Sequence, residues 1–396
     1  MRILHISSLY YPDQVGGAEV MVELLAETQA SAGCSVAVVC TSRQEEPPTS
    51  RNGVTIYRTG FGTPHFIMDW DTRSSIDRLH YRLAAKTNFY ATKRIAAAIR
   101  DFRPEVVNTH SLSELPPRVW TIAKQCGAAV VHTIHDYKSI CSNGAMFRDG
   151  TACSAQHIRC RLISHPHYRH QFAVDGVTGV GTEILRRHLD AGLFRHIQES
   201  RRRVIFNPIE PPSVPRTRQL EQGRDIVFGC LGRIEPSKGI DVLLDACRML
   251  PTSGWKLIAA GRAIGGLEQY WKRATGLPVE FAGFVPRDTF FDQVDCLVVP
   301  AVWPEAFGRT VSEALLRGIP VIGSRIAGIA EQIGEDQDQW LFPPGDAVTF
   351  AEKMAAVLKD RDLLLQRSTA MEQIAARVSP RDIAARYLHL YRSVLK

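Results

Sequence analysis

The sequence predicts an α/β protein of two domains, each a mostly parallel sheet covered by helices on both faces. Three observations lead there. Short runs rich in Val, Ile and Ala alternate with stretches whose apolar residues recur every three to four positions, as repeated βα units require. The alternation stops at a proline-rich stretch and starts afresh at Ile226. The 396 residues also exceed what one core ordinarily holds.

Arg2 to Ile6 reads as a buried strand, followed by a loop that reaches Gly16-Gly17-Ala18-Glu19 and a helix over Val20 to Ala32. Met21, Leu24, Leu25 and Thr28 give that helix its apolar face. Ser35 to Cys40 is the next strand, so the chain opens as βαβ with paired glycines where the helix begins. The glycine pair is a weak signal alone, since it is not G-x-G-x-x-G. Residues 43 to 80 are loop-rich, with a strand at Val54 to Tyr57. A helix over Leu83 to Asp101 follows, then a strand from Glu105 to Thr109, a helix from Pro116 to Gln125 and a strand from Ala128 to Ile134. His135, at the end of that strand, points into the crevice where open α/β sheets bind ligands. It reads equally as a ligand-facing group or as a hydrogen-bonded structural histidine. Cys141, Cys153, His157, Cys160, His165, His167 and His170 then crowd one insertion. No C-x-x-C pair is present, so the segment reads as a mobile loop with free thiols rather than a metal site. A strand at Val174 to Val180 and a helix at Glu183 to Leu193 complete the first half.

Composition narrows the function. With 45% hydrophobic and 22% charged residues the chain is ordinary globular material. Its net charge of +7 favours acidic partners, such as phosphates or an anionic membrane surface, without any nucleic-acid-binding signature. The basic cluster Arg186, Arg187, Arg195, Arg201, Arg202 and Arg203 reads as a solvated face or, more sharply, a lipid contact. No apolar run reaches 18 residues, and the short run after Met1-Arg2 is a strand, not a signal peptide. Nine cysteines, several in strand-like contexts, argue for reduced thiols in the cytosol.

Pro208, Pro211, Pro212 and Pro215 mark residues 207–225 as a linker, which separates a first domain, 1–206, from a second, 226–378. The second half repeats the plan: strands at Ile226 to Leu231, Lys256 to Ala260, Val279 to Phe281, Cys296 to Pro300 and Pro320 to Ser324. Helices are expected at Ile240 to Leu250, Ala347 to Lys359, Asp362 to Ala376 and Arg381 to Val394. The loop after the first of these strands carries Gly232, Arg233, Lys238 and Gly239, two cations suited to clasping a diphosphate. Gly261-Arg262 and Gly283-Phe284-Val285 lie on the same crevice side.

One stretch carries the most chemistry. From Pro304, a loop glutamate, Glu305, leads through Phe307-Gly308 to a short helix with Val311, Ala314 and Leu315, and Glu313 follows eight residues after the first carboxylate. Gly318 and Pro320 stop it. The first helical turn favours an anion, whereas carboxylates accept from sugar hydroxyls. The order carboxylate, anion site, carboxylate, spaced over roughly 12 Å if helical, mirrors sugar, diphosphate and ribose.

Together these motifs resemble glycosyltransferase family 4, over essentially the whole chain. They are Gly16-Gly17-Ala18-Glu19, Thr133-Ile134-His135-Asp136, Gly232-Arg233 with Lys238-Gly239, Phe281-Ala282-Gly283-Phe284, and Pro304 through Glu313-Ala314 to Ser324. The resemblance implies the GT-B fold, two facing Rossmann-like domains with a final helix, 381–396, crossing back to the first. It also implies a retaining hexosyl transfer from a UDP- or GDP-linked sugar to a carbohydrate or lipid-linked hydroxyl, in the cytoplasm and peripherally at the inner membrane face. Carried over, Glu305 binds donor sugar hydroxyls, Glu313 the ribose, and Arg233 and Lys238 the diphosphate, with help from Phe307, Gly308, Arg309 and Thr310. Gly232, Gly261 and Arg262 join the donor side, Gly283 to Val285 lie beside the base, Gly16 and Gly17 face the phosphate and acceptor, and His135 approaches the sugar. No metal or other cofactor is expected, because two cations are supplied. Two departures stand out: Asn207-Pro208, where Asn-Gly is usual, stiffens the hinge, and Ala327-Gly328, where Gly-Gly is usual, is expected to matter little. The competing functions are an epimerase of the same fold class, acting on the nucleotide sugar alone, and a binding protein without turnover. A nicotinamide dehydrogenase fits worse, since neither half carries G-x-G-x-x-G.

Overall fold

The computed structural model describes residues 1–14, 16–110, 112–113, 115–212, 223–263, 266–334, 337–368 and 371–396. The chain forms two compact units: Met1–Gly144 with Ala155–Pro208 and Pro380–Lys396, and Ala145–Ser154 with Ile209–Ser379. Most of the expected linker, 213–222, lies outside the described residues.

In the first unit, strands β1 (Arg2–Ile6), β2 (Ser35–Ser42), β3 (Thr49–Arg51), β4 (Val54–Gly60), β5 (Val106–Thr109) and β6 (Ala129–Ile134) come first in the chain. After a small hairpin that belongs to the second unit, β7 (Phe147–Arg148) with β8 (Thr151–Ala152), the chain adds β9 (Gly176–Gly179) and β10 (Arg202–Val204). The sheet runs β10-β9-β6-β5-β1-β2-β4-β3, parallel except for the β3–β4 edge pair. The chain builds one way from β1 and then restarts at β5 on its other side, so β1 and β5 flank the switch point where such sheets bind ligands. The strands read as near-continuous apolar runs because helices cover both faces.

The second unit carries β11 (Ile226–Leu231), β12 (Trp255–Ala260), β13 (Val279–Gly283), β14 (Cys296–Val299), β15 (Val321–Ser324) and β16 (Leu341–Phe342), ordered β13-β12-β11-β14-β15-β16 and all parallel. Its switch point lies between β11 and β14. The two α/β units with mostly parallel sheets are those the sequence predicts.

Two expectations need correction. The single helix over Leu83 to Asp101 is two, Ser75–Thr87 and Phe89–Phe102. Asn88 separates them: its Oδ1 accepts the Ala91 N–H (3.0 Å), capping the second helix instead of continuing the first. The Cys/His-rich insertion is not a loose loop. It forms the β7–β8 hairpin and the helices Ile158–Ile163 and His165–His170, where the Tyr168 hydroxyl reaches Gln156 Oε1 (2.8 Å) and Ala191 O (2.9 Å). The helix expected over Asp362 to Ala376 is seen as Asp362–Ser368 and Met371–Val378, with 369–370 outside the described residues.

The last helix, Pro380–Leu395, packs on the first unit's sheet. Its buried Tyr391 hydroxyl accepts from Asn108 Nδ2 (2.7 Å), and the Tyr387 hydroxyl meets Thr133 (3.3 Å) and Thr178 (3.4 Å). None of the nine cysteines is in a disulfide. Among the described residues no helix is long and apolar enough to cross a membrane.

Candidate active site

Four loops of the second unit follow the carboxyl ends of β12, β11, β14 and β13, and adjacent strands bring them together. Close backbone approach fixes two of them. A Cβ on Gly239 would lie 1.8 Å from the Pro300 carbonyl oxygen, and one on Gly261 1.8 Å from that of Gly232. Only glycine fits at either place. The Val302 N–H donates to Ser237 O (3.0 Å), tying the loop after β11 to that after β14 across the switch point.

Lys238 and Glu305 meet there. Lys238 Nζ donates to Glu305 Oε2 at 2.6 Å and lies 4.9 Å from the Trp303 ring centroid. The two side chains are 23% and 17% exposed, so the pair is screened from bulk water yet open on one side. Arg233 behaves differently. It is 57% exposed and pairs with Glu235 (3.0 Å), whose carboxylate also accepts from Ser237 Oγ (2.7 Å). One expected cation is thus held beside the Glu305 carboxylate, and the other is extended from the loop.

The helix after Glu305 spans Arg309–Leu315 and starts at Gly308, which takes a left-handed conformation. Gln332 anchors this turn from the helix Ala327–Ile333. Its buried amide donates to the carbonyls of Phe307, Gly308 (3.3 Å) and Gly328 (2.8 Å) and accepts from the Ser312 hydroxyl. The Gly328 N–H donates to Glu305 O (3.0 Å), completing the support. Ala327 enters this helix with φ of 42°, a left-handed conformation that costs an alanine about 1 kcal/mol. The Ala-for-Gly departure is therefore not neutral: it stores strain directly behind the Glu305 loop.

Glu313 is less open than its expected role suggests. Its carboxylate is 4% exposed, and Oε1 is shared by Arg309 (3.3 Å) and Arg287 (3.1 Å). Burial lowers the Arg309 pKa, and Glu313 opposes that shift. A ribose reaching Glu313 would meet its second oxygen, the first being committed to guanidinium groups. Arg262 is exposed, Val285 half-buried, and Phe284 presents a 90% exposed ring beside Gly283.

In the first unit, Gly16 and Gly17 open the helix Gly17–Ser31. The Gly16 N–H already donates to Glu19 Oε2 (2.9 Å), so a carboxylate sits where the sequence suggests phosphate. His135 is half-buried at the end of β6, and its Nε2 lies 3.1 Å from His110 Nδ1. One ring nitrogen is thus engaged within the first unit, as the structural alternative expects.

The structure thus gathers Gly232, Arg233, Lys238, Gly261, Gly283, Glu305, Phe307 and Gly308 on one end of the second sheet, and places Gly16, Gly17 and His135 at strand ends of the first. Gln332, Trp303, Glu235 and Arg287 escape sequence reasoning. None has a signature spacing, and each is defined by a tertiary partner.

Known proteins match along most of the chain. Residues 216–376 match the family described as glycosyl transferases group 1, and residues 16–208 the glycosyl transferase 4-like domain. A 42.6 kDa protein of the Klebsiella pneumoniae cps region is 31% identical over 332 residues, covering 84% of this chain and 87% of that one. The Escherichia coli K12 protein WcaL, named as a colanic acid biosynthesis glycosyltransferase, is 30% identical over 142 residues, 32% of this chain and 34% of its own. The match to Arabidopsis thaliana sulfoquinovosyl transferase SQD2, at 32% identity over 138 residues, spans only 26% of that protein. Among solved structures, Anabaena HepE in complex with UDP and glucose superposes with a TM-score of 0.70 at 17% identity, covering 99% of this chain and all of that one. Sucrose-phosphate synthase of Thermosynechococcus elongatus gives 0.76 at 19%, covering 99% and 98%.

Proposed function

The chain belongs to the GT-B glycosyltransferases of the family 4 type, and from that premise we propose that it moves a sugar, with retained anomeric configuration, from a nucleoside diphosphate sugar to a hydroxyl acceptor. The observation that carries this reading is the Lys238–Glu305 pair at the second unit's switch point. Such a pair presents a cation and a carboxylate to one ligand: the cation to the diphosphate, the carboxylate to sugar hydroxyls. As the nucleotide departs, negative charge grows on the diphosphate, and Lys238 with the extended Arg233 neutralises it. Two cations supply the charge that a divalent metal would otherwise bring. The acceptor hydroxyl attacks from the face the nucleotide leaves, and the departing phosphate takes its proton. Exposed Phe284 is suited to cover the base. His135 contributes from the first unit, as a hydrogen-bonding partner of the transferred sugar. Relatives named for colanic acid and lipopolysaccharide core biosynthesis support a polysaccharide or glycolipid acceptor.

The test is product analysis with a panel of UDP- and GDP-sugars and acceptor mixtures, reading the new linkage by NMR. A glycoside that keeps the donor's anomeric configuration, formed equally well in EDTA, supports the proposal. An inverted product, loss of activity in EDTA, or an epimerised donor without glycoside contradicts it.

Membrane contact is better carried by another face than the arginine cluster. Arg186 and Arg187 pair with Glu183, and Arg195 and Arg202 bond backbone carbonyls. In the helix Ile158–Ile163, by contrast, Ile158 and Leu162 lie one turn apart at 75% and 71% exposure, beside exposed Arg159. Flotation with phosphatidylglycerol vesicles that persists in an Ile158→Ser/Leu162→Ser protein would rule this face out.

A further inference from the structure

Three strands of the first unit place their histidines in a line. His5 lies in β1, His110 directly follows β5 and His135 directly follows β6, and β6-β5-β1 are neighbours. His135 Nε2 is 3.1 Å from His110 Nδ1, His110 Nε2 is 2.9 Å from His5 Nδ1, and His5 Nε2 is 2.8 Å from Gln29 Oε1. Gln29 comes from the helix Gly17–Ser31 and, like His5 and His110, is fully or almost fully buried. Only His135 has a side toward solvent.

We infer that Gln29, acting through His5 and His110, fixes the tautomer of His135 so that its Nδ1 is unprotonated and faces its ligand as a hydrogen-bond acceptor. The reasoning is a count of protons. A neutral imidazole carries one N–H and one bare nitrogen. The Gln29 carbonyl oxygen can only accept, so His5 must carry its proton on Nε2. Its bare Nδ1 then requires a proton on His110 Nε2, and His110's bare Nδ1 requires one on His135 Nε2. Nothing is left for His135 Nδ1 but a lone pair. The line stays neutral because burial holds His5 and His135 down to about 4 and His110 well below the usual histidine range. A second proton on His5 or His110 in this arrangement would point two N–H groups at each other, whereas His135, at the open end, is kept neutral by burial alone.

Gln29, His5 and His110 are positioning residues under this inference, and the consequence rests on the reading that His135 meets the transferred sugar. A sugar hydroxyl would donate to Nδ1, and a ligand group that only accepts would be turned away. The one-way line of hydrogen bonds also pairs the ring nitrogens of two fully buried histidines, where an unpaired polar group costs about 1–3 kcal/mol.

The experiment is 15N NMR of the full chain labelled in histidine, with His135→Gln used to assign the His135 signals. The wild type is expected to show Nε2–H tautomers at His5, His110 and His135, each with an unprotonated Nδ1. Gln29→Met, close in volume but without an acceptor, is expected to release the line, giving His135 a mixed or Nδ1–H tautomer and a roughly tenfold lower kcat. An Nδ1–H tautomer at His135 in the wild type overturns the inference with no variant needed. So does a His135 tautomer untouched by Gln29→Met. A tautomer that moves while kcat stays constant supports the line of bonds and overturns only the placement of His135 at the sugar.

Discussion

At the scale of single residues, Lys238 and Arg233 divide a task that the sequence presents as shared. Lys238 is packed against Trp303 and bonded to Glu305, whereas Arg233 stands more than half exposed. Under the role proposed for Lys238, beside the departing phosphate, Lys238→Ala is expected to lower kcat/KM by about 10²–10³-fold. Stability should change little, because a partly exposed ion pair contributes about 1 kcal/mol or less. Steady-state kinetics and a melting curve on the same sample check both halves. Ala327 offers a second residue-scale prediction. It holds φ of 42°, so Ala327→Gly relieves strain and should raise stability by about 0.5–1 kcal/mol despite glycine's entropy. A lower melting temperature would contradict it.

At the scale of elements, the Glu305 loop and the seven-residue helix behind it are held by Gln332 rather than by length or propensity. Gln332→Leu leaves carbonyls of Phe307, Gly308 and Gly328 without their amide donor. It is expected to cost about 1–3 kcal/mol in denaturant unfolding and to weaken donor binding more than an acceptor-side change would. This is also where reading the sequence reached its limit. Ile226–Leu231 and Ala347–Lys359 were legible to the residue because a buried strand or an amphipathic helix writes its period into the chain. Lys238 and Glu305 were legible as chemistry, each in a loop after a strand. Their contact, sixty-seven positions apart in sequence, depends on strand order, which no local pattern states. Asn88 defeated the helix expectation because one capping side chain outweighs a continuing period, and the insertion at 141–170 because short helices held by Tyr168 and Gln156 carry too few residues to show one.

At the scale of the whole molecule, buried neutral histidines make the fold sensitive to acid. Burial holds His5, His135 and His188 to about 4, whereas unfolded histidine titrates near 6.5. A lowered folded pKa means the stabilisation is complete above the unfolded value and is lost as pH falls toward the folded one. Stability should therefore drop between about pH 6.5 and 4, by on the order of 1–2 kcal/mol per histidine at pH 5. Urea unfolding at pH 7.5 and 5 reads it, and equal midpoints would contradict it. The account as a whole rests on the second unit recognising a nucleotide through its cations and a sugar through Glu305. Calorimetric titration of the full chain with the nucleoside diphosphate that binds it, and with the corresponding nucleotide sugar, tests that division most directly. Glu305→Ala should leave the free nucleotide's Kd within about twofold and weaken the nucleotide sugar about tenfold or more, the loss of one charge-assisted hydrogen bond. Equal weakening of both ligands, or of neither, would contradict it.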